Sequence, residues 1–373
     1  MNKSLYYENL DGLRFFSFLS VFFFHNFAGN FSNVNTSPIY GFVRAHVFEN
    51  GSLGVNFFFV LSGFLITTLL IAEKKLNKNI NLRFFWLRRV LRIWPLFYTC
   101  VFIGFIVYPI LKKLTGQIST ETADPLLCLT FLNNFDIIKN GWPDASILGV
   151  LWSVAIEEQF YVVWPIILFL VPIKKLWIPF VAILIINLVF RAVYNNHLMH
   201  YYHTLSCIGD MTIGGIGAWL IEVSIKFKKY IHDLSRVTIY VIYILLIAIY
   251  FFADQLQRNS IISVFERLLI AVVFAIIILE QTFAENSFYK MSNFKQISKL
   301  GTITYGLYCL HFLGILVATT VINKLHLNKN EWQIFFIEMP LALLIAMLLS
   351  KASYKFLESP FLKLKNKFTF ITK

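Results

Sequence analysis

The chain has 373 residues, of which 58% are hydrophobic and only 14% charged, with 40 Phe and a mean hydropathy of +0.67. A soluble domain is about a quarter charged, so this composition excludes an ordinary soluble protein and indicates several membrane spans of about 20 apolar residues each. The formal net charge of +13 is explained by basic cytoplasmic loops, so we expect no nucleic-acid partner.

Ten apolar segments, each long enough or nearly long enough to span a bilayer, follow one another along the chain. They are residues 11–29, 52–72, 94–111, 149–172, 176–193, 206–222, 237–253, 261–280, 299–322 and 332–350. Most of the 33 Lys and Arg residues fall in the loops on the side of the N-terminus, which places both termini in the cytoplasm. The predicted fold is therefore all-α, a polytopic membrane helix bundle of about ten transmembrane helices.

The first apolar segment, LDGLRFFSFLSVFFFHNF, carries Arg14 near its inner end and His25 eleven residues further on. It is too long and too polar for a cleaved signal peptide. In a helix the two residues are about 16 Å apart along the axis and about 20° apart around it. Both therefore face the bundle interior at different depths. Arg14 is either a functional residue or a side chain that snorkels to the interface; His25 is either a proton acceptor or a helix-bundling hydrogen-bond partner.

The second segment and the loop after it bring a small-residue pair and a basic cluster. Ser62 and Gly63 lie near mid-membrane in VNFFFVLSGFLIT, where small residues permit close helix packing and Ser62 is a candidate cavity residue. The next inside loop is the most basic, and its RRVLRIWP places Arg89 and Arg92 three residues apart. These guanidinium groups suit the phosphate oxygens of a bound ligand or of lipid headgroups.

The fourth segment, LWSVAIEEQFYVVWP, places Glu157 and Glu158 at roughly the depth of His25. Two adjacent carboxylates at membrane depth are costly unless they are paired or hydrated. Since adjacent helical residues diverge by about 100°, at most one points squarely at a given partner. One of them could orient His25 and stabilise its imidazolium.

The ninth segment contains TYGLYCLHF, in which Tyr305, Tyr308 and His311 share one helical face. They either line a polar cavity or hydrogen-bond to neighbouring helices. The four cysteines of the chain show no paired spacing, so we expect no metal site. A basic inner mouth with polar residues deeper in the bundle suits an enzyme that takes an activated group from a phosphorylated cytoplasmic donor.

Six stretches of the chain, in order, resemble blocks of the acyltransferase-3 family, the integral-membrane O-acyltransferases that modify bacterial polysaccharides, peptidoglycan and small molecules. The six are LDGLRFFSFLSVFFFHNF, GVNFFFVLSGFLIT, FFWLRRVLRIWPLFY, LWSVAIEEQFYVVWP, TYGLYCLHF and YKFLESP, and they cover most of the chain. The chain departs from the family pattern at Asn56, where an aspartate is common, and at Val154, where leucine is usual.

The resemblance implies transfer of an acyl group, usually acetyl, from cytoplasmic acyl-CoA as co-substrate to a hydroxyl of a carbohydrate or other acceptor, with no bound cofactor. The site residues that it implies lie on three helices: the general base His25 with the functional Arg14, the CoA-phosphate contacts Arg89 and Arg92, and the supporting Glu157 and Glu158.

We further expect a membrane acyltransferase domain at residues 1–355 and a short basic cytoplasmic tail at 356–373, which is either a segment that lies against the inner leaflet or an ordinary cytoplasmic tail. The resemblance implies the bacterial cytoplasmic membrane as location. The expected partners are acyl-CoA, a saccharide or glycolipid hydroxyl and the lipid bilayer. Because the chain ends soon after the tenth segment, we expect it to lack the appended extracytoplasmic esterase-like domain of some members. The competing hypothesis is a glycolipid carrier or flippase with a proton-relay histidine, although no repeat of two matching halves is visible in the sequence.

Overall fold

The computed structural model describes residues 6–27, 37–194, 196–257 and 261–368, which are helical and contain no strand. Ten long helices follow the ten predicted segments, which confirms the all-α membrane-bundle class. They are α1 (Glu8–Phe27), α2 (Leu53–Asn77), α3 (Leu82–Phe102), α4 (Leu151–Leu170), α5 (Trp177–Val193), α6 (Thr204–Val223), α7 (Arg236–Gln257), α8 (Ile262–Phe283), α9 (Thr304–Leu325) and α10 (Met339–Ser353). Residues 28 and 29 of the first predicted segment lie outside the described residues.

Shorter helical segments connect or extend these helices. They are Pro38–Val43, Arg44–Phe48, Glu49–Ser52, Ile103–Val107, Tyr108–Leu114, Pro125–Leu129, Asn133–Asn140, Ser146–Gly149, Ile173–Lys175, His197–Tyr202, Ile225–His232, Met291–Asn293, Lys295–Gly301, Glu331–Gln333, Ile334–Glu338, Tyr354–Glu358, Ser359–Lys365 and Asn366–Phe368.

Eight helical stretches in the described part of the chain are long and apolar enough to cross a membrane: Pro38–Asn77, Leu82–Leu114, Ser146–Leu170, Ile173–Val193, Thr204–Val223, Ile262–Phe283, Thr304–Leu325 and Glu331–Lys365. A ninth forms if α7 is joined to Ile225–His232, which meets it at 85°. Helix α1 is less apolar because it carries Asp11, Arg14, His25 and Asn26, and it packs against α2 and α9. The chain is therefore an integral membrane protein, and the polar residues of α1 lie on a helix that packs against other helices of the bundle.

Helices α2 and α6 pack with their backbones in contact. A Cβ atom on Gly63 would lie 1.9 Å from the carbonyl oxygen of Met211, and one on Gly214 would lie 1.9 Å from that of Val60. Only glycine fits at either position, so the close-packing role expected of Gly63 is confirmed. This contact fixes α2, and therefore the neighbouring Ser62, relative to the rest of the bundle.

The end of the chain folds back onto α3. Segments Tyr354–Glu358 and Ser359–Lys365 both contact α3, and a guanidinium nitrogen of Arg88 donates to the carbonyl oxygen of Phe368 at 2.8 Å. The basic residues of the predicted tail up to residue 368 thus lie beside the arginines of α3. Residues 369–373 of that tail lie outside the described residues.

Candidate active site

Two cavities enter the bundle at opposite ends of α1. The basic cavity, of about 830 Å³, has six cationic lining residues: Arg14, Arg88, Arg89, Arg92, Lys363 and Lys365. The aromatic cavity, of about 1300 Å³, surrounds His25 with the rings of Trp142, Trp152, Tyr201, Tyr202 and Phe312. Arg14 and His25 therefore face the interior at different depths, as their spacing predicts, but they line different cavities.

Arg14 is held in the basic cavity by an acidic neighbour. Its guanidinium forms an ion pair with the buried carboxylate of Asp11, which also accepts a hydrogen bond from the Tyr6 hydroxyl. Burial and the hydrogen bond to Asp11 raise the pKa of Tyr6 to about 12, so its hydroxyl remains a donor. Sequence reasoning missed Asp11, although its spacing of three residues from Arg14 on a helix was a usable signal.

Arg92 is exposed and lines the basic cavity. It forms no hydrogen bond or ion pair with any of the residues that the structure describes. The guanidinium of Arg89 lies over the rings of Phe85 and Tyr161, at 5.6 and 5.7 Å from their centroids. Arg89 and Arg92, the two predicted phosphate contacts, therefore both line the basic cavity. Each has N–H groups that are not hydrogen-bonded to any of the described residues.

The adjacent Arg88 has a different environment. Its guanidinium lies 2.9 Å from the carboxylate of Glu73, and both side chains are almost fully buried. The other oxygen of Glu73 accepts from the backbone N–H of Asn81 at 2.9 Å. This buried ion pair joins the end of α2 to α3, and the sequence offered no signal to separate Arg88 from its arginine neighbours.

The two glutamates of α4 point to different partners. Glu157 accepts from the hydroxyls of Ser62 at 2.7 Å and Tyr161 at 2.9 Å, and it lines the basic cavity. Glu158 accepts from the indole N–H of Trp94 at 3.0 Å. The structure places neither carboxylate against His25, because the 100° divergence of adjacent residues turns Glu158 toward α3 and Glu157 lies deeper, in the basic cavity.

His25 instead pairs with a histidine. Its Nδ1 lies 2.8 Å from Nε2 of His311, whose Nδ1 lies 2.7 Å from the carbonyl oxygen of Tyr308. The Tyr308 hydroxyl is 2.6 Å from that of Ser153. Since Tyr308 and Ser153 line the basic cavity and His25 lines the aromatic one, this series of contacts crosses the wall between the two cavities.

Four residues are predicted as possible cavity-lining side chains, and the structure separates them. Ser62, Tyr305 and Tyr308 line the basic cavity, and the Tyr305 hydroxyl donates to the carbonyl oxygen of Ile93 at 2.7 Å. His311 lines neither of the two cavities, because its fully buried ring lies in the wall between them.

Two amide nitrogens at the aromatic cavity have no hydrogen-bond partner within the described ranges of the chain. Asn26 and Asn50 are 2% and 6% exposed, both line this cavity, and the amide nitrogen of each has no hydrogen-bond partner among the described residues. A buried donor without a partner is costly, so these nitrogens suit a polar ligand. Sequence reasoning missed Asn26, although it directly follows His25.

The loop before α4 is fixed beside the aromatic cavity. The ammonium of Lys112 lies 2.6 Å from both carboxylate oxygens of Asp144, and the backbone N–H of Thr120 donates to the same carboxylate at 3.0 Å. Burial raises the pKa of the Asp144 carboxyl, but the hydrogen bonds and the charge of Lys112 lower it by more, so the pKa lies below its usual value. This places Trp142 at the cavity wall.

Among the residues with described positions, no group of three or more His, Cys, Asp or Glu side chains is arranged to hold a metal ion.

Comparison with known proteins gives one family. The acyltransferase-3 model, described as an acyltransferase domain, matches residues 7–351. The "Peptidoglycan O-acetyltransferase OatA" of Listeria monocytogenes is 26% identical over 385 residues, which cover 96% of this chain and 56% of the relative. The "Putative peptidoglycan O-acetyltransferase YrhL" of Bacillus subtilis is 28% identical over 378 residues, which cover 95% of this chain and 55% of the relative. This chain thus spans little more than half the length of these relatives. No solved structure matches it.

Proposed function

Because the chain belongs to the acyltransferase-3 family, we propose that it transfers an acyl group, acetyl by default, from cytoplasmic acyl-CoA to a hydroxyl of a carbohydrate on the other side of the membrane. The observation that carries this proposal is the pair of cavities, one basic and one aromatic, on either side of the His25–His311 contact. The names of the relatives support a peptidoglycan-type saccharide as acceptor. Their bacterial sources and the basic loops support the cytoplasmic membrane as location, with both termini inside.

The basic cavity is the proposed donor site. Acyl-CoA carries phosphate groups, and arginine forks bind phosphate oxygens with charge-assisted hydrogen bonds. Arg92 supports this role because it is exposed in the cavity without a partner among the described residues. Arg89 and Arg14 line the same cavity, with Arg14 oriented by Asp11. In this proposal the phosphates remain near these arginines while the thioester extends toward the wall that contains Tyr308.

The aromatic cavity is the proposed acceptor site. Ligand sites are mostly apolar and aromatic, with a few placed polar groups that fix the orientation of the ligand. Trp142 and Trp152 offer ring faces to the apolar faces of a sugar, and the amides of Asn26 and Asn50 offer hydrogen bonds to its hydroxyl or carbonyl groups. His25 lies in the same cavity, where it can reach a bound hydroxyl.

His25 is the proposed general base in a direct transfer. It accepts the proton of the acceptor hydroxyl, and the oxygen attacks the thioester carbonyl, whose developing oxyanion needs a hydrogen-bond donor. The amide of Asn26, next to His25, is a candidate for that donor. The hydroxyl of Ser62 already donates to Glu157, which supports a role for both residues in holding the donor cavity in shape. The intermediate then expels CoA thiolate, which takes the proton from His25.

The experiment that tests this proposal is thiol release from acetyl-CoA by detergent-purified protein, with water as the default acceptor. Wild type should release thiol, and His25→Ala should release it about 100-fold more slowly, because general base catalysis contributes 10²–10⁴-fold. His232→Ala, at a half-exposed site on a connecting helix, is the matched control and should keep the wild-type rate. An unchanged rate in His25→Ala would refute the proposed base, and a flippase would consume no thioester at all. A covalent acyl-protein after incubation with donor alone would refute direct transfer.

A further inference from the structure

The hydrogen-bond partner of His25 is a second imidazole ring, that of His311, and not the carboxylate that commonly orients a catalytic histidine. No carboxylate is hydrogen-bonded to His25 or His311 in the described ranges of the chain. We propose that His311 is a positioning residue that fixes the tautomer of His25 and stabilises its protonated form during acyl transfer. This inference rests on the proposed function, in which His25 is the base.

The hydrogen bonds of His311 determine which nitrogen of each ring carries hydrogen. The carbonyl oxygen of Tyr308 can only accept, so Nδ1 of His311 must carry a hydrogen at 2.7 Å from it. A neutral His311 then has an unprotonated Nε2, and this atom can only accept. The contact of 2.8 Å from His25 Nδ1 to His311 Nε2 therefore requires the hydrogen on Nδ1 of His25. Nε2 of His25 is left with its lone pair free, as a general base requires.

The packing around the two rings holds this arrangement in place. The ring centroids of His25 and His311 are 5.0 Å apart and their planes are inclined by only 22°. Phe18 meets His311 in an edge-on contact at 6.0 Å, and Phe312 contacts both rings, at 4.7 and 4.8 Å. Because His311 is 0% exposed, water is kept from its ring nitrogens and does not compete for the contact.

The pair also accounts for the proton through the whole reaction. The acceptor O–H bond breaks, its proton binds Nε2 of His25, and the oxygen forms a bond to the thioester carbon. His25 is then a cation, and its Nδ1–H donates more strongly to the lone pair of His311 Nε2. When the carbon–sulfur bond breaks, the thiolate takes the proton from Nε2. The products are an ester and CoA thiol, and both histidines return to their starting state.

The decisive comparison is between His311→Gln and His311→Asn. The side-chain oxygen of Gln can lie close to the position of Nε2 and accept from Nδ1–H of His25, whereas the shorter Asn places its polar atoms at the level of Nδ1. His311→Leu fills the site without any acceptor. His232→Leu is the control for replacement of a histidine at a distant, half-exposed site.

We expect His311→Leu and His311→Asn to lower kcat for thiol release from acetyl-CoA by about 100-fold, with KM for acetyl-CoA within about twofold of wild type. His311→Gln should restore kcat to within about tenfold of wild type. Monodispersity and acetyl-CoA binding identify folded variants, and the Gln–Asn comparison is sufficient if the leucine variant does not fold. Equal kcat values for the folded His311→Gln and His311→Asn variants would overturn the role inferred for His311. If His25→Ala were inactive in the same assay, the proposed function would still stand. An active His25→Ala would refute the base itself, and with it any role for His311 in positioning it.

Discussion

Gly214→Ala tests the closest helix contact in the bundle. The added methyl would lie 1.9 Å from the carbonyl oxygen of Val60, 2.8 Å from its carbonyl carbon and 2.9 Å from the backbone nitrogen of Phe64. These are backbone atoms of α2, so no side-chain rotation relieves the overlap. Ordinary van der Waals contact begins at 3.4 Å, so α2 and α6 must separate by about 1.5 Å at this point.

The expected cost follows from that displacement. Overpacking a core costs about 1–3 kcal/mol, and two backbones in contact leave little room for adjustment. We therefore take the upper end of this range, about 3 kcal/mol. The higher helix propensity of alanine offsets at most about 1 kcal/mol of it, so the free energy of unfolding should fall by about 2 kcal/mol. The shift would also lengthen the 2.7 Å hydrogen bond from Ser62 to Glu157, because Ser62 follows Val60 by two residues on α2. Thiol release should therefore fall together with stability.

Gly217→Ala is the matched control on the same helix. Its Cβ would meet Leu279 at 3.4 Å, an ordinary contact, so the helix gains propensity without a clash and should be more stable by up to about 1 kcal/mol. Equilibrium unfolding in mixed micelles measures both variants, and thiol release from acetyl-CoA measures the effect on the site. If Gly214→Ala were as stable and as active as Gly217→Ala, the glycine-mediated contact would not be the constraint inferred here.

Three further predictions concern ionic groups. Arg88→Met leaves the buried carboxylate of Glu73 without its cation and should lower the free energy of unfolding by about 3–5 kcal/mol. The double variant with Glu73→Gln should recover most of that loss in unfolding experiments, and an equal loss in the single and double variants would contradict this prediction. Arg92→Ala should raise KM for acetyl-CoA about tenfold with little change in kcat, because a phosphate contact acts equally on ground and transition states, and an unchanged KM would remove Arg92 from the donor site. The low pKa of Asp144 stabilises the folded state above the ordinary carboxyl pKa of about 4, and this stabilisation is lost as the pH falls through the folded-state value. The difference in melting temperature between wild type and Asp144→Asn should thus be constant near neutral pH and shrink below about pH 4, and a gap unchanged down to pH 3 would show that the contact with Lys112 is not ionic.

The sequence was sufficient for the helices because each needs only its own apolar run. Within the described residues each of the ten predicted segments coincides with a long helix over most of its length, including 206–222, which becomes Thr204–Val223. The sequence also predicted that Arg14 and His25 face the bundle interior at different depths, because both lie on one helix whose geometry is known. The 85° bend before α7 was not predicted, because it depends on how the helices pack.

The partners of the site residues could not be predicted, because they lie on other helices. His25 and His311 are 286 residues apart, and depth alone made Glu157 and Glu158 equally plausible partners. Two helices at the same predicted depth can still present different faces, and only packing decides which side chains meet. The same holds for Arg88, whose ion pair with Glu73 forms because α2 and α3 end beside each other.

The wall between the two cavities also has an electrical consequence under the proposed mechanism. On the donor side the thioester loses an acyl group and its sulfur gains a proton, while on the acceptor side the hydroxyl loses a proton and gains the acyl group. The charge on each side of the wall is therefore the same before and after each transfer, so a transmembrane potential neither drives nor opposes the overall reaction. The equilibrium of acyl transfer measured in detergent micelles should thus equal the equilibrium across an energised membrane.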